Sequence, residues 1–219
     1  MNRPARLVTA ALTASAALLL TACGSGGGDS SSSSDKIAGA GSGDKGSASP
    51  STSASADGID RPEIKLPSDM KMVFEGQQTG DATKDAVLAD NERAEGTVWQ
   101  AMAYGDTKKS GMAFYYTDNA LAGVYQYAKR AIDKKTSWAG TLRYYDRKVT
   151  LFDKKSAALT YCVDESKADL KNRETNKLQG TKTTPNSYVF YNLGLKKNED
   201  GVWQTWDVTE DRGSQKCQP

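Results

Sequence analysis

Histidine is absent from this 219-residue chain, cysteine occurs three times, and no apolar run is long enough to span a bilayer as a helix. Without histidine there is no Ser-His or Cys-His nucleophile pair and no His-ligated metal chemistry. The cysteines show no CxxC spacing, and no glycine-rich phosphate loop is present. No metal and no cofactor are therefore expected. Charge of one sign is also missing. The chain has 29 basic and 27 acidic residues, and setting aside Arg3 and Arg6 leaves the two signs equal. A nucleic-acid binder normally carries a basic excess on its domain, so that partner class is excluded. Any chemistry falls to carboxylates, tyrosines and lysines.

What is present begins with an address. Arg3 and Arg6 form a basic start with no acidic residue, followed by an Ala- and Leu-rich stretch from Leu7 to Leu20. A basic n-region and a short apolar h-region are the pattern of a signal peptide. Leu20, Thr21, Ala22 and Cys23 then resemble a bacterial lipobox, in which small residues admit a peptidase to the bond before a lipid-modified cysteine. Residues 1–22 are expected to be removed and Cys23 to carry the lipid. The mature protein would be anchored in the cell membrane on its extracytoplasmic face, without spanning it. Residues 23–58 are almost entirely Gly, Ser, Ala, Asp and Lys, too poor in apolar surface to offset the entropy of ordering, and are expected to form a tether reaching on the order of 30 Å. Residues 59–219 remain for one domain with its own core. In an oxidising compartment the two leftover cysteines, Cys162 and Cys217, are expected to form a disulfide.

Within the domain, Asp81 to Tyr104 reads as a helix. Val87, Ala94, Val98 and Met102 recur at helical steps, with Leu88, Glu95 and Trp99 along a neighbouring line, and Gly105-Asp106 is the stop. A short helix or turn covers Lys108 to Tyr116. Thr117 or Asp118 caps a third helix with the apolar stripe Leu121, Val124, Tyr125, Ala128 and Ile132. After Ser137 the pattern alternates. Leu142–Phe152 and Ala157–Asp164 form one hairpin, Tyr188–Leu195 and Val202–Thr209 a second, joined through Asn198 to Gly201. Helices followed by an antiparallel sheet give an α+β class.

This order resembles the cone-shaped NTF2-like (nuclear transport factor 2-like) fold of secreted and lipid-anchored actinobacterial proteins. Carrying the resemblance are Trp99 six residues before Gly105, the string Cys162-Val163-Asp164-Glu165-Ser166, and Trp206-Asp207-Val208 followed by Cys217. It implies helices packed on a curved sheet whose mouth can hold a ligand or an active site.

Two roles stay open. Trp99, Tyr125, Tyr161 and Trp206, on predicted inward faces, either line an apolar cavity or fill the core. Tyr188, Phe190 and Trp203, on the opposite strand faces, form an exposed aromatic strip unless the polar segment Glu165–Pro185 covers them. That segment is either a sheet margin or a flap. The strip would suit an envelope protein, a wall glycan or a second copy of the chain. Asp164 and Asp207 are the carboxylates that could work with a tyrosine, and each reads more simply as a solvated surface group. The favoured expectation is a non-catalytic binding or interaction domain; the alternative is a small-molecule carrier or enzyme using the cone cavity.

Overall fold

A computed structural model describes residues 58–219; the expected leader, lipidated Cys23 and nearly all of the tether lie outside the described residues. The elements are β1 (Met70–Phe74), α1 (Ala82–Tyr104), α2 (Met112–Tyr115), α3 (Asp118–Asp133), β2 (Thr136–Leu151), β3 (Ser156–Asn172), β4 (Tyr188–Lys197) and β5 (Trp203–Arg212). The α+β class and the helices packed on a curved sheet, expected from the resemblance to NTF2-like domains, are what the chain forms.

Helix α1 has the ends its sequence asks for. The Asp81 carboxylate accepts the Thr83 and Lys84 N–H groups, and Gly105 closes the helix in the left-handed conformation at φ 72°, its N–H on the Ala101 carbonyl. Helix α1 is buried over a wide arc because it is enclosed on both sides. Val87 and Leu88 belong to a core shared with Met70, Trp138, Tyr144, Leu159 and Trp203 of the sheet. Ala94, Val98, Ala101 and Met102 belong to a second core with Met112, Tyr115, Tyr116, Ala120 and Ala128 of the other helices.

The five strands follow one another in chain order across the sheet. Strands β2 to β5 pair antiparallel, and β1, not foreseen from the sequence, adds to β2 in parallel. Its return through three helices is the long crossover that a parallel neighbour requires. Strands β2 and β3 are longer than their alternating patterns indicated, reaching back to Thr136 and on to Asn172, so the first part of the Glu165–Pro185 segment is a sheet margin. Register shifts between Thr141 and Arg143 and between Tyr145 and Lys148 interrupt their ladder. Such bulges bend the strand that carries them.

A third shift, in β5, changes which side chains face the helices. Gly194 pairs with Asp207 and Leu195 with Thr205, leaving Trp206 as an extra residue. Alternation is reset there: Trp203 and Thr205 point inward before the bulge, Val208 after it, and Trp206 is turned out. The exposed placement of Trp203 is therefore corrected. It is 1% exposed in the core, and its backbone N–H donates to the buried Asp90 carboxylate at 2.9 Å. Asp90 also accepts from Arg61 at 2.5 Å, fastening the segment before β1 to α1.

Cys162 and Cys217 are joined by a disulfide, with Cα atoms 5.6 Å apart. It holds the C-terminal tail over the outer sheet face. Tyr145 there donates its hydroxyl to the Cys217 carbonyl, and Lys216 lies over the Phe190 ring at 4.4 Å. Among the described residues, no helix is long and apolar enough to cross a membrane.

Candidate functional site

Between the inner sheet face and the helices lies a cavity of about 270 Å³. Strands β3, β4 and β5 supply Tyr161, Tyr191, Leu193, Asp207, Val208 and Glu210; α1 supplies Glu95, Val98 and Trp99. Tyr116, at the step between α2 and α3, closes one end. Helix α3 forms the remaining wall, where the exposed Gly123, Tyr127 and Arg130 mark the mouth.

Glu95 is the chemical centre of this cavity. Its position on α1, seven residues after Leu88 and four before Trp99, puts a carboxylate on an otherwise apolar line. One oxygen accepts the Tyr161 hydroxyl at 2.7 Å, and the other faces the Tyr144 hydroxyl at 3.4 Å. Tyr144 in turn accepts the Trp99 indole N–H at 2.9 Å, so three aromatic side chains fix the carboxylate. Burial pushes the Glu95 carboxyl above the ordinary glutamate range; the two tyrosine hydroxyls and the Arg147 guanidinium pull it the other way. Burial and the nearby carboxylate together raise Tyr116, Tyr144 and Tyr161 well above the ordinary phenol value, so all three keep their protons at neutral pH. Tyr191 is raised in the same way and stacks on Tyr161 with ring centroids 5.2 Å apart.

Tyr116 and Tyr191 differ from Tyr144 and Tyr161. Both line the cavity, and neither hydroxyl makes a side-chain hydrogen bond among the described residues; the Tyr116 ring is 4% exposed, and its hydroxyl opens on the cavity space.

The residues singled out from sequence divide. Trp99 and Tyr161 line the cavity. Tyr125 does not; it is half-buried against the helical core. Trp206 does not either: the bulge turns it to the outer face, where it covers Gly194 and meets Lys196 at 4.7 Å. A Cβ on Gly194 would come within 2.8 Å of that indole, so the close packing requires glycine. Asp207 borders the cavity, whereas Asp164 lies 3.6 Å from Arg143 on the outer face, away from it. Tyr188 and Phe190 do face outward, half-buried beside the C-terminal tail; Trp203 does not join them. The described residues hold no cluster of metal-ligating side chains.

Glu95, Tyr116, Tyr144 and Tyr191 were not singled out as site residues by sequence reasoning. For Glu95 a signal existed, the acid between Leu88 and Trp99. For Tyr116 there was none, since its direction depends on how α2 meets α3.

No family model matches the chain, and no curated protein matches it. Among solved structures it is similar to a ketosteroid isomerase-like protein from Erwinia carotovora, with 14% identity and a TM-score of 0.38 over 57% of this chain and 95% of that one. It is also similar to the intermembrane space region of the chloroplast protein ARC6, with 11% identity and a TM-score of 0.37 over 58% of this chain and 97% of that one. Likenesses at this level say nothing about chemistry.

Proposed function

We propose that this protein is an extracytoplasmic lipoprotein, held to the cell membrane through Cys23 and a flexible tether, whose folded domain binds a small molecule in the cavity between helices and sheet. The observation that carries the binding reading is the carboxyl of Glu95, set among tyrosines in a cavity open at the Gly123 side, with the Tyr116 hydroxyl left for a guest. An enclosed aromatic wall with a few converging polar groups is what small-molecule sites have in common. The competing reading, an interaction surface on the outer sheet face, loses its anchor with the burial of Trp203. Support for the address comes from the basic start, the Leu7–Leu20 run, the Leu20–Cys23 sequence and a disulfide of the kind that persists outside the cytoplasm.

Gly123 provides the test of the cavity. It lines the mouth, and a Cβ there meets nothing within 4 Å, so a side chain can be added without displacing a neighbour. Gly123→Phe should fold as well as the parent, helped by the better helix propensity, and should lose binding of fragments detected by the Trp99 fluorescence change. Retained binding in this variant places the guest elsewhere. The address is tested by mass spectrometry of the membrane fraction, which should find a diacylated N-terminal Cys23; Cys23→Ala should leave an unprocessed precursor.

A further inference from the structure

Resting on the cavity-binding reading, we propose that the guest is an organic monocation, a protonated amine on an apolar or aromatic body, bound with its ammonium group at Glu95 and Tyr116. The charges around the cavity are unbalanced. Glu95, Asp207 and Glu210 line it, and none of them is in an ion pair among the described residues; Arg130, at the exposed mouth, is the lining cation. Two further guanidiniums stand nearby: Arg147, whose fully buried side chain is spent on the Glu92 carboxylate at 2.7 Å and the Leu88 carbonyl at 2.9 Å, and Arg212, which pairs with the Glu165 carboxylate at 2.6 Å beside Tyr191 and Glu210.

The walls are as suggestive as the charges. Trp99, Tyr116, Tyr127, Tyr161 and Tyr191 surround the space, and aromatic faces attract a cation through their quadrupoles, more strongly when water is excluded. Tyr116 adds an independent indication. Its hydroxyl opens on the cavity with no protein hydrogen bond, and an ammonium N–H has a hydrogen to give it. Each oxygen of Glu95 faces one tyrosine, and a carboxylate oxygen has room for a second donor. The ammonium thus finds a negative charge, a hydroxyl acceptor and aromatic faces in one place, whereas a guest anion would meet the Glu95 carboxylate there.

The proposal also has a pH signature. Facing Glu95 are Tyr144 and Arg147 from β2, Tyr161 from β3, Tyr191 from β4 and Tyr116 from the step before α3. Around the cavity stand Asp207, Glu210 and Arg212 from β5, Glu165 from β3, and Tyr127 and Arg130 from α3. The tyrosines facing Glu95 keep their protons across the neutral range, and burial raises the Glu95 carboxyl above the ordinary glutamate range. A cation binds the ionised form of Glu95, and its affinity should fall as pH drops through the range where that carboxyl takes up a proton.

Three soluble probes of similar size separate the possibilities: 2-phenylethylamine as the cation, 2-phenylethanol as its neutral counterpart and phenylacetate as the anion. Titration calorimetry on the purified protein at pH 7.5 should give the amine at least about tenfold higher affinity than the alcohol, a gap equivalent to about 1.4 kcal/mol. Glu95→Gln should reduce that preference to within about twofold, and Tyr116→Phe should weaken the amine more than the alcohol. Equal affinity for amine and alcohol, or tighter binding of phenylacetate, overturns the cationic guest while leaving the cavity a binding site. Failure of all three probes to bind overturns both readings. A Glu95→Gln variant that retains the full preference for the amine overturns the assigned contact.

Discussion

Replacing Trp203 by alanine tests the assignment on which the rejection of an outer aromatic surface depends. The side chain is 1% exposed and shares a core with Leu88, Leu159 and Leu195, so truncation removes a large buried ring and leaves a cavity that rigid neighbours only partly fill. Losses for such truncations are about 3–5 kcal/mol, a large fraction of the roughly 5–15 kcal/mol that stabilises a typical domain. For a domain of this size that lowers the melting temperature by about 6–20 °C. Trp206→Ala is the matched control. That indole is half-buried on the outer face over Gly194, with a Lys196 contact worth about 0.5–1 kcal/mol, and its removal should cost on the order of 1 kcal/mol. Urea unfolding of both variants, followed by far-UV circular dichroism, reads the difference. If Trp203→Ala costs no more than Trp206→Ala, the bulge is misplaced and Trp203 is the exposed residue that simple alternation made it.

Two further outcomes follow from the site and the tail. Because burial raises the Glu95 carboxyl, the folded state holds that proton more tightly than the unfolded chain. Its favourable contribution is therefore complete below the unfolded glutamate value and is lost as pH rises through the folded one. Glu95→Gln should accordingly melt higher than the parent at pH 8, with the advantage closing toward pH 4, and an advantage independent of pH would show that the carboxyl is not buried at this cost. Cutting the disulfide by Cys162→Ser with Cys217→Ser, a link across 55 residues, should remove about 4 kcal/mol in the chain-entropy account and release the tail from Phe190 and Tyr145. Trypsin should then cleave after Lys216 faster than in the parent, and an unchanged rate would mean that the tail is held without the link.

The sequence reveals most where local chemistry decides. Helix α1 is legible at both ends because Asp81 and Gly105 each do one thing well, and the strand pairs meet at turns whose residues mark them. Strand β1 is not legible. Its five residues alternate Met70 and Met72 inward against polar or exposed neighbours, and a stretch that short acquires its meaning only from β2 beside it. The cavity falls between these cases. A helix buried on one side shows its polar face as a polar stripe, but α1 is enclosed by sheet and helices together, so the line containing Glu95 looks like core with a single acid on it. Which of Trp99, Tyr125, Tyr127 and Tyr161 reach the space depends on how α3 lies over the sheet, a tertiary property with no local signature.

The errors in β5 share one cause. Period-two alternation assigns every residue of a strand once any one is assigned, and a single inserted residue inverts all those beyond it. Trp206 is that residue, and its insertion carries Trp203 into the core and swings Trp206 itself to the outer face. Asp207, opposite Gly194, borders the cavity with Val208 and Glu210. Glycine at position 194 permits this, since any side chain there would meet the indole that the bulge turns outward. Bulges are over-represented beside functional sites because they re-aim side chains without altering the rest of the sheet. In this chain the bulge is coupled to the cavity directly: the residue pair that accommodates it, Gly194 and Trp206, lies on the outer face, while Val208, which follows it and pairs with Leu193, lines the proposed binding space.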